Sequence, residues 1–238
     1  MSSRPFHFKH FSLFHHQSTM KVGTDAVLLG SWVSVEKVSD ALDIGTGCGI
    51  LPLMLAQRSV NQVDAVEMDA SSAKEAAYNF SCSQWHRQLQ VYEMDIRRFV
   101  DVFPNKKYDL IISNPPFFTN SFKGEQPRRN QARHTDSLSF DDILNSAKKS
   151  LNPEGSLALV LPYNEGVSFI NSANAAGLFL KEKLLIIAVE GRQPNRLNLL
   201  FSFNSVPEPD TKTFTIRNLD GSFTKQYKDL LQDFYLGL

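Results

Sequence analysis

The chain has 238 residues and is 42% hydrophobic, enough for one large α/β core. Its 25 basic and 25 acidic side chains cancel, so no global field draws it to nucleic acid or to an anionic membrane, and any RNA contact needs a local patch. Two cysteines, Cys48 and Cys82, lack metal-ligand spacing and read as reduced thiols. No charged-then-apolar leader opens the chain and no apolar run is long enough to cross a bilayer, so a cytoplasmic protein is expected. One domain over 1–238 is expected, with 1–20 as an amino-terminal extension and 207–238 as an appended strand and helix.

Residues 4–20 interleave Phe6, Phe8, Phe11 and Phe14 with Arg4, His7, Lys9, His10, His15 and His16. That alternation suits a hairpin that meets RNA, with rings for bases and cations for phosphates. It equally suits an edge strand that covers the core with one apolar face, and the two are compatible. Thr24 is placed to cap a helix reaching Trp32, with Asp25 at its positive end. A free helix amino terminus also binds carboxylates.

Ala41–Ile44 reads as a buried strand, followed by the glycine turn Gly45-Thr46-Gly47-Cys48-Gly49 and a helix from Ile50 to about Arg58. Strand, glycine turn, helix is an arrangement for nucleotide cofactors, because glycines let the backbone approach a ligand closely. The G-x-G-x-G spacing differs from the G-x-G-x-x-G of NAD or FAD sites. Val63–Glu67 is a second strand, and Glu67 at its carboxyl end can accept from both ribose hydroxyls. Asp69 caps a helix from Ala70 to about Ser81. A third strand, Gln88–Met94, leads into Asp95, an acceptor for an adenine amino group, and Ile96, which can pack on the ring. With no histidine or third ligand beside these acids, no metal is expected.

The fourth strand, Tyr108–Ser113, ends in Asn114-Pro115-Pro116-Phe117. Two prolines remove two backbone donors and stop the strand in a stiff corner. The Asn114 side-chain oxygen and the Pro115 carbonyl can take the two hydrogens of a planar amine or amide, aiming its lone pair at an electrophile, while Phe117 stacks on a flat substrate. The polar stretch 118–139 carries Arg128, Arg129 and Arg133 and suits phosphate contacts or simply a solvated loop. Asp141–Leu151 is helical, 152–155 turns, and Ser156–Leu161 is a fifth strand. A helix near Glu165–Ala176, strands at Lys183–Val189 and Leu197–Phe203, a short strand at Thr213–Ile216 and an amphipathic helix ending at Phe234-Tyr235-Leu236 complete the alternation. Arg192 and Arg196 mark a second small basic loop.

Asp43-Ile44-Gly45-Thr46-Gly47-Cys48-Gly49, Glu67, Asp95 and the Asn-Pro-Pro-Phe corner together resemble class I S-adenosylmethionine-dependent methyltransferases that act on amino groups. A closer resemblance, over nearly the whole chain, is to the bacterial tRNA1(Val) adenine(37)-N6-methyltransferase family. It rests on residues 20–30, on Asn-Pro-Pro-Phe-Phe, on Ala132-Arg133-His134 and on Phe234-Tyr235-Leu236. The resemblance implies a Rossmann-like α/β fold, with a seven-stranded, mostly parallel sheet and helices on both faces. It implies S-adenosylmethionine held by Lys21, Thr24, Asp43, Gly45, Thr46, Gly47, Gly49, Glu67, Met68, Asp95, Ile96 and Asn114, with Asn114, Pro115, Pro116 and Phe117 at the chemistry. A monomer acting on tRNA is expected, with Arg4, Lys9, Arg128, Arg129, Arg133, Arg192 and Arg196 as candidate RNA contacts. Ribosomal RNA guanine-N2 methylation, protein glutamine N5-methylation, DNA adenine methylation and a module that binds without catalysis are the alternatives.

Overall fold

The computed structural model describes residues 4–18, 21–116 and 138–237. Phe117, Met20 and the basic stretch with Arg128, Arg129 and Arg133 lie outside them. At the amino terminus β1 (Phe6–His7) and β2 (Ser12–Leu13) form an antiparallel hairpin of their own. It is not an edge strand of the main sheet. Phe8 and Phe11, just beside its strands, are buried, and Phe8 bridges to Tyr235. The hairpin thus covers the core as an added layer.

Helix α1 (Thr24–Trp32) begins one residue earlier than Thr24 capping requires. Gly23, in extended conformation, is the cap residue, and no side chain caps it. Then β3 (Asp40–Ile44), α2 (Ile50–Gln57), β4 (Gln62–Glu67), α3 (Ala70–Ser81) and β5 (Leu89–Glu93) alternate as expected. Asp69 caps α3, accepting from the Ser72 amide at 2.8 Å. A short helix α4 (Ile96–Val102), which the sequence reading did not separate from its surroundings, is capped by Asp95 and leads to β6 (Tyr108–Ser113).

The second half holds α5 (Phe140–Ser150), β7 (Leu151–Pro162), α6 (Tyr163–Ala175), β8 (Phe179–Val189), β9 (Arg196–Ser202), β10 (Asp210–Arg217) and α7 (Lys225–Leu231). Residues 152–155, expected as a turn, belong to β7. The register against β6 shifts there, from Tyr108 opposite Leu151 to Leu110 opposite Ser156, so the excess residues bulge within the strand.

The sheet has eight strands in the order β10-β8-β9-β7-β6-β3-β4-β5, not the seven expected. The extra strand is β10, which returns to pair in parallel with the outer edge of β8 and buries Phe214 against Tyr227. An unpaired strand edge is a liability, and β10 covers it. Only β9 runs antiparallel to its neighbours.

Strand residues alternate between two cores. Ala41, Leu110, Ile112, Ala158 and Val160 pack with α1, α2, α3 and the hairpin, whereas Leu42, Ile111, Leu157 and Leu159 pack with α4, α5 and α6. Chain order reverses between β3 and β6, which opens a crevice at their carboxyl ends. Among the described residues no helix is long and apolar enough to span a membrane.

Candidate functional site

A cavity of about 300 Å³ fills that crevice. The glycine turn forms its floor. Gly45 and Thr46 amides donate to the Val66 carbonyl at 2.9 and 3.2 Å, tying the end of β3 to β4. Gly47 and Gly49 have φ of +56° and +86°, which only glycine adopts readily, and the Gly49 amide closes the turn on the Thr46 carbonyl at 3.0 Å. Ser113 donates its hydroxyl to the Ile44 carbonyl at 2.7 Å, fixing the end of β6 to the end of β3.

Glu67 stands at the end of β4, half-buried, on the cavity wall. One carboxylate oxygen accepts from the Gly47 amide at 2.8 Å and the other from the Asp69 amide at 2.9 Å. Each oxygen keeps a lone pair, so the side chain is oriented but not saturated. Asp95, after β5, accepts from the Arg97 amide at 2.8 Å and is gripped by the Arg97 guanidinium, which holds its carboxyl below the usual range. Its acceptor capacity is therefore shared with Arg97, a cavity-lining residue that the sequence reading left out.

Asn114 heads the Pro-Pro corner, and its Oδ1 is buried with no hydrogen-bond partner among the described residues. A buried acceptor left without a donor costs on the order of 1–3 kcal/mol, which marks it as an atom that a ligand completes. Pro116 shares the wall, while Pro115 is buried behind it.

Asp43 is wholly buried and both its oxygens lack hydrogen-bond partners among the described residues. Loss of hydration pushes its pKa up to about 7, and the Glu67 charge adds to the rise. The nearby Thr46 hydroxyl pulls the other way without meeting full hydrogen-bond geometry.

Of the expected cofactor residues, Lys21, Gly45, Thr46, Gly47, Glu67, Met68, Asp95, Ile96 and Asn114 line the cavity. Thr24, Asp43 and Gly49 stand outside its lining. Ala26, Ile44, Cys48, Ile50, Leu51, Val66, Met94, Leu138 and Asp142 complete the wall with Arg97 and Pro116. Asp142 could have been found: Ser139 and Asp142 make a reciprocal capping box, and the Ser-x-x-acid spacing announces it. Of the expected RNA contacts, Arg196 donates to Asp25 at the start of α1 at 2.9 Å, Lys9 donates to the Gln232 carbonyl, and the Arg4 carbonyl lies 3.0 Å from His16 Nε2. Arg192 is exposed.

The donor set fits S-adenosylmethionine. Two carboxylates suit a diol and an exocyclic amine, Ile96 and Met68 offer apolar surface to a purine, and the buried Asn114 oxygen awaits a donor. Among the described residues no cluster of histidine, cysteine and acidic side chains has the arrangement of a metal site.

The family model for the methyltransferase small domain matches residues 12–174. A tRNA1(Val) (adenine(37)-N6)-methyltransferase of Bacteroides fragilis is 39% identical over 236 residues, covering 99% of both chains. Another, from Tolumonas auensis, is 40% identical over 238 residues, covering 99% of this chain and 98% of that protein. In fold, the chain matches the crystal structure of a predicted O-methyltransferase from Agrobacterium tumefaciens with a TM-score of 0.62 at 20% identity, over 88% of this chain and 96% of the other. On this full-length similarity the chain belongs to the tRNA1(Val) (adenine(37)-N6)-methyltransferase family, within the methyltransferase small domain.

Proposed function

We propose that this chain methylates the exocyclic N6 of adenine 37 in tRNA1(Val), using S-adenosylmethionine, as a cytoplasmic monomer without a metal. The observation that carries the chemistry is the unpartnered, buried Oδ1 of Asn114 at the mouth of an acidic cofactor cavity.

The N6 lone pair of adenine is delocalised into the ring, so the nitrogen is a weak nucleophile. Asn114 Oδ1 and the Pro115 carbonyl accept its two hydrogens and hold the lone pair toward the methyl group. Glu67 and Asp95 take the hydroxyl and amine groups of the cofactor. Bound S-adenosylmethionine supplies the electrophilic methyl on a sulfonium. Formation of the nitrogen–carbon bond would break the methyl–sulfur bond, the sulfur leaving as the neutral thioether of S-adenosylhomocysteine, and a proton then leaves N6 to water.

Adenine reaches this corner only when it is turned out of its stack. Phe117 follows Pro116 directly and is the residue assigned to stack on it. Arg4, Lys9, Arg128, Arg129, Arg133, Arg192 and Arg196 are the cations assigned to phosphates.

Transfer of labelled methyl to an unmodified tRNA1(Val) transcript, beside one with adenine 37 replaced by guanine, tests the assignment. Label on the first alone is the expected result. Label on both moves the reaction to another nucleotide, and label on neither, with cofactor still bound, sends it to another substrate such as ribosomal RNA or a protein glutamine.

A further inference from the structure

Two polar side chains of α3 stand in the core beside the cofactor cavity, and neither lines it. Asn79 is 1% exposed. Its Oδ1 accepts from the Phe14 amide at 2.9 Å, and its Nδ2 donates to the Phe14 carbonyl and the Cys48 carbonyl, both at 2.8 Å. One turn earlier Glu75, 6% exposed, accepts from the backbone amides of His16, Gln17 and Ser18 and from the Ser18 hydroxyl. Residues 14–18 are thereby fastened to α3, and the same amide of Asn79 fastens the glycine turn at Cys48.

The fastened segment is also tied to the residues beside the cavity. His15 Nδ1 accepts from the Val22 amide at 3.1 Å, and Lys21 and Ala26 form part of the wall. Packing backs the turn as well, since a Cβ on Gly49 would meet the Phe80 ring at 2.5 Å and Ala76 at 3.3 Å. A leucine at position 79 would serve α3 as an amphipathic helix just as well. The asparagine is explained by its partners: it ties the Phe14 carbonyl to the Cys48 carbonyl, and Cys48 lines the cavity.

We propose that Asn79, seconded by Glu75, is a positioning residue for the cofactor: it holds the glycine turn and the Lys21 wall in one register and so sets the affinity for S-adenosylmethionine. This rests on reading the cavity as the cofactor site. Neither side chain touches the reacting atoms, so the effect falls on cofactor binding rather than on the methyl-transfer step.

The test uses Asn79→Ala and Glu75→Gln in the full chain, at a temperature where circular dichroism shows each folded. Calorimetry gives Kd for S-adenosylhomocysteine, and initial rates give KM for S-adenosylmethionine and kcat at saturation. Kd and KM are expected to rise about tenfold for Asn79→Ala, a difference of about 1.4 kcal/mol, and by less for Glu75→Gln, with kcat held within about twofold. A purely structural role would lower the melting temperature and leave Kd and KM unchanged in the folded protein, which overturns the proposal. So does a fall in kcat with KM unaltered. If Asn79→Ala does not fold, Glu75→Gln decides by the same criteria. Failure of the unaltered protein to bind S-adenosylhomocysteine would overturn the cofactor reading instead.

Discussion

On the proposed mechanism Asn114 and Glu67 divide the work of the cavity, and substitutions should separate their parts. Asn114→Ala removes the acceptor that aims the nucleophile, so kcat should fall on the order of a hundredfold or more while cofactor Kd stays within about twofold. Glu67→Ala removes a charged acceptor and should weaken cofactor binding about tenfold to a hundredfold, by calorimetry. Asp43 is different in kind. Its pKa of about 7 lies above the ordinary 3.8, so the folded protein holds that proton more tightly than the unfolded chain. The resulting stability is fully present below pH 3.8 and is lost as pH rises to about 7. Asp43→Asn should therefore flatten the stability curve between those limits, a change of up to about 4 kcal/mol, in denaturant titrations at a series of pH values.

Elements that announce themselves locally were legible, and those set by distant partners were not. The glycine turn, the acids ending β4 and β5 and the Pro-Pro corner are short-range signals, because each depends on its own residues' dihedrals and donors. Gly23 displaced Thr24 as the α1 cap because the chain enters that helix in extended conformation, which the side-chain preference of threonine does not reveal. The length of β10 and its partner β8 depend on pairing across the fold, and Thr213–Ile216 alone showed only a fragment of it. The hairpin is a mixed case. Its aromatics pointed to covering the core, but its partners were out of reach of local pattern: Phe8 stacks on Phe11 at 4.6 Å and on Tyr235 at 5.5 Å. Phe8→Ala should accordingly cost about 3 kcal/mol in chemical denaturation, typical of a buried phenylalanine, and should loosen both ends of the chain together.

Taken whole, the molecule is electrically neutral, with 25 charges of each sign, and binds a polyanion only through local cations. Arg196 is engaged with Asp25 and Lys9 with Gln232, so part of that local charge is already committed. Affinity for tRNA should then fall with salt along a shallow slope, below about 5 in log Kd against log salt, whereas a strongly basic binder reaches about 10. A steep slope in filter binding would show a larger phosphate footprint than the described cations supply.

The junction of Phe8 with Tyr235 also bears on how the protein is made. Lys9 and the Gln232 carbonyl are 223 positions apart, and the Lys9 amide donates to the Phe234 carbonyl. Synthesis runs from the amino end, so the hairpin is made before residues 232–235, and until those clear the ribosome its seat is only the half provided by α3 and Trp85. The face that Phe8 turns to Tyr235 waits uncovered until the far side of the fold has been made.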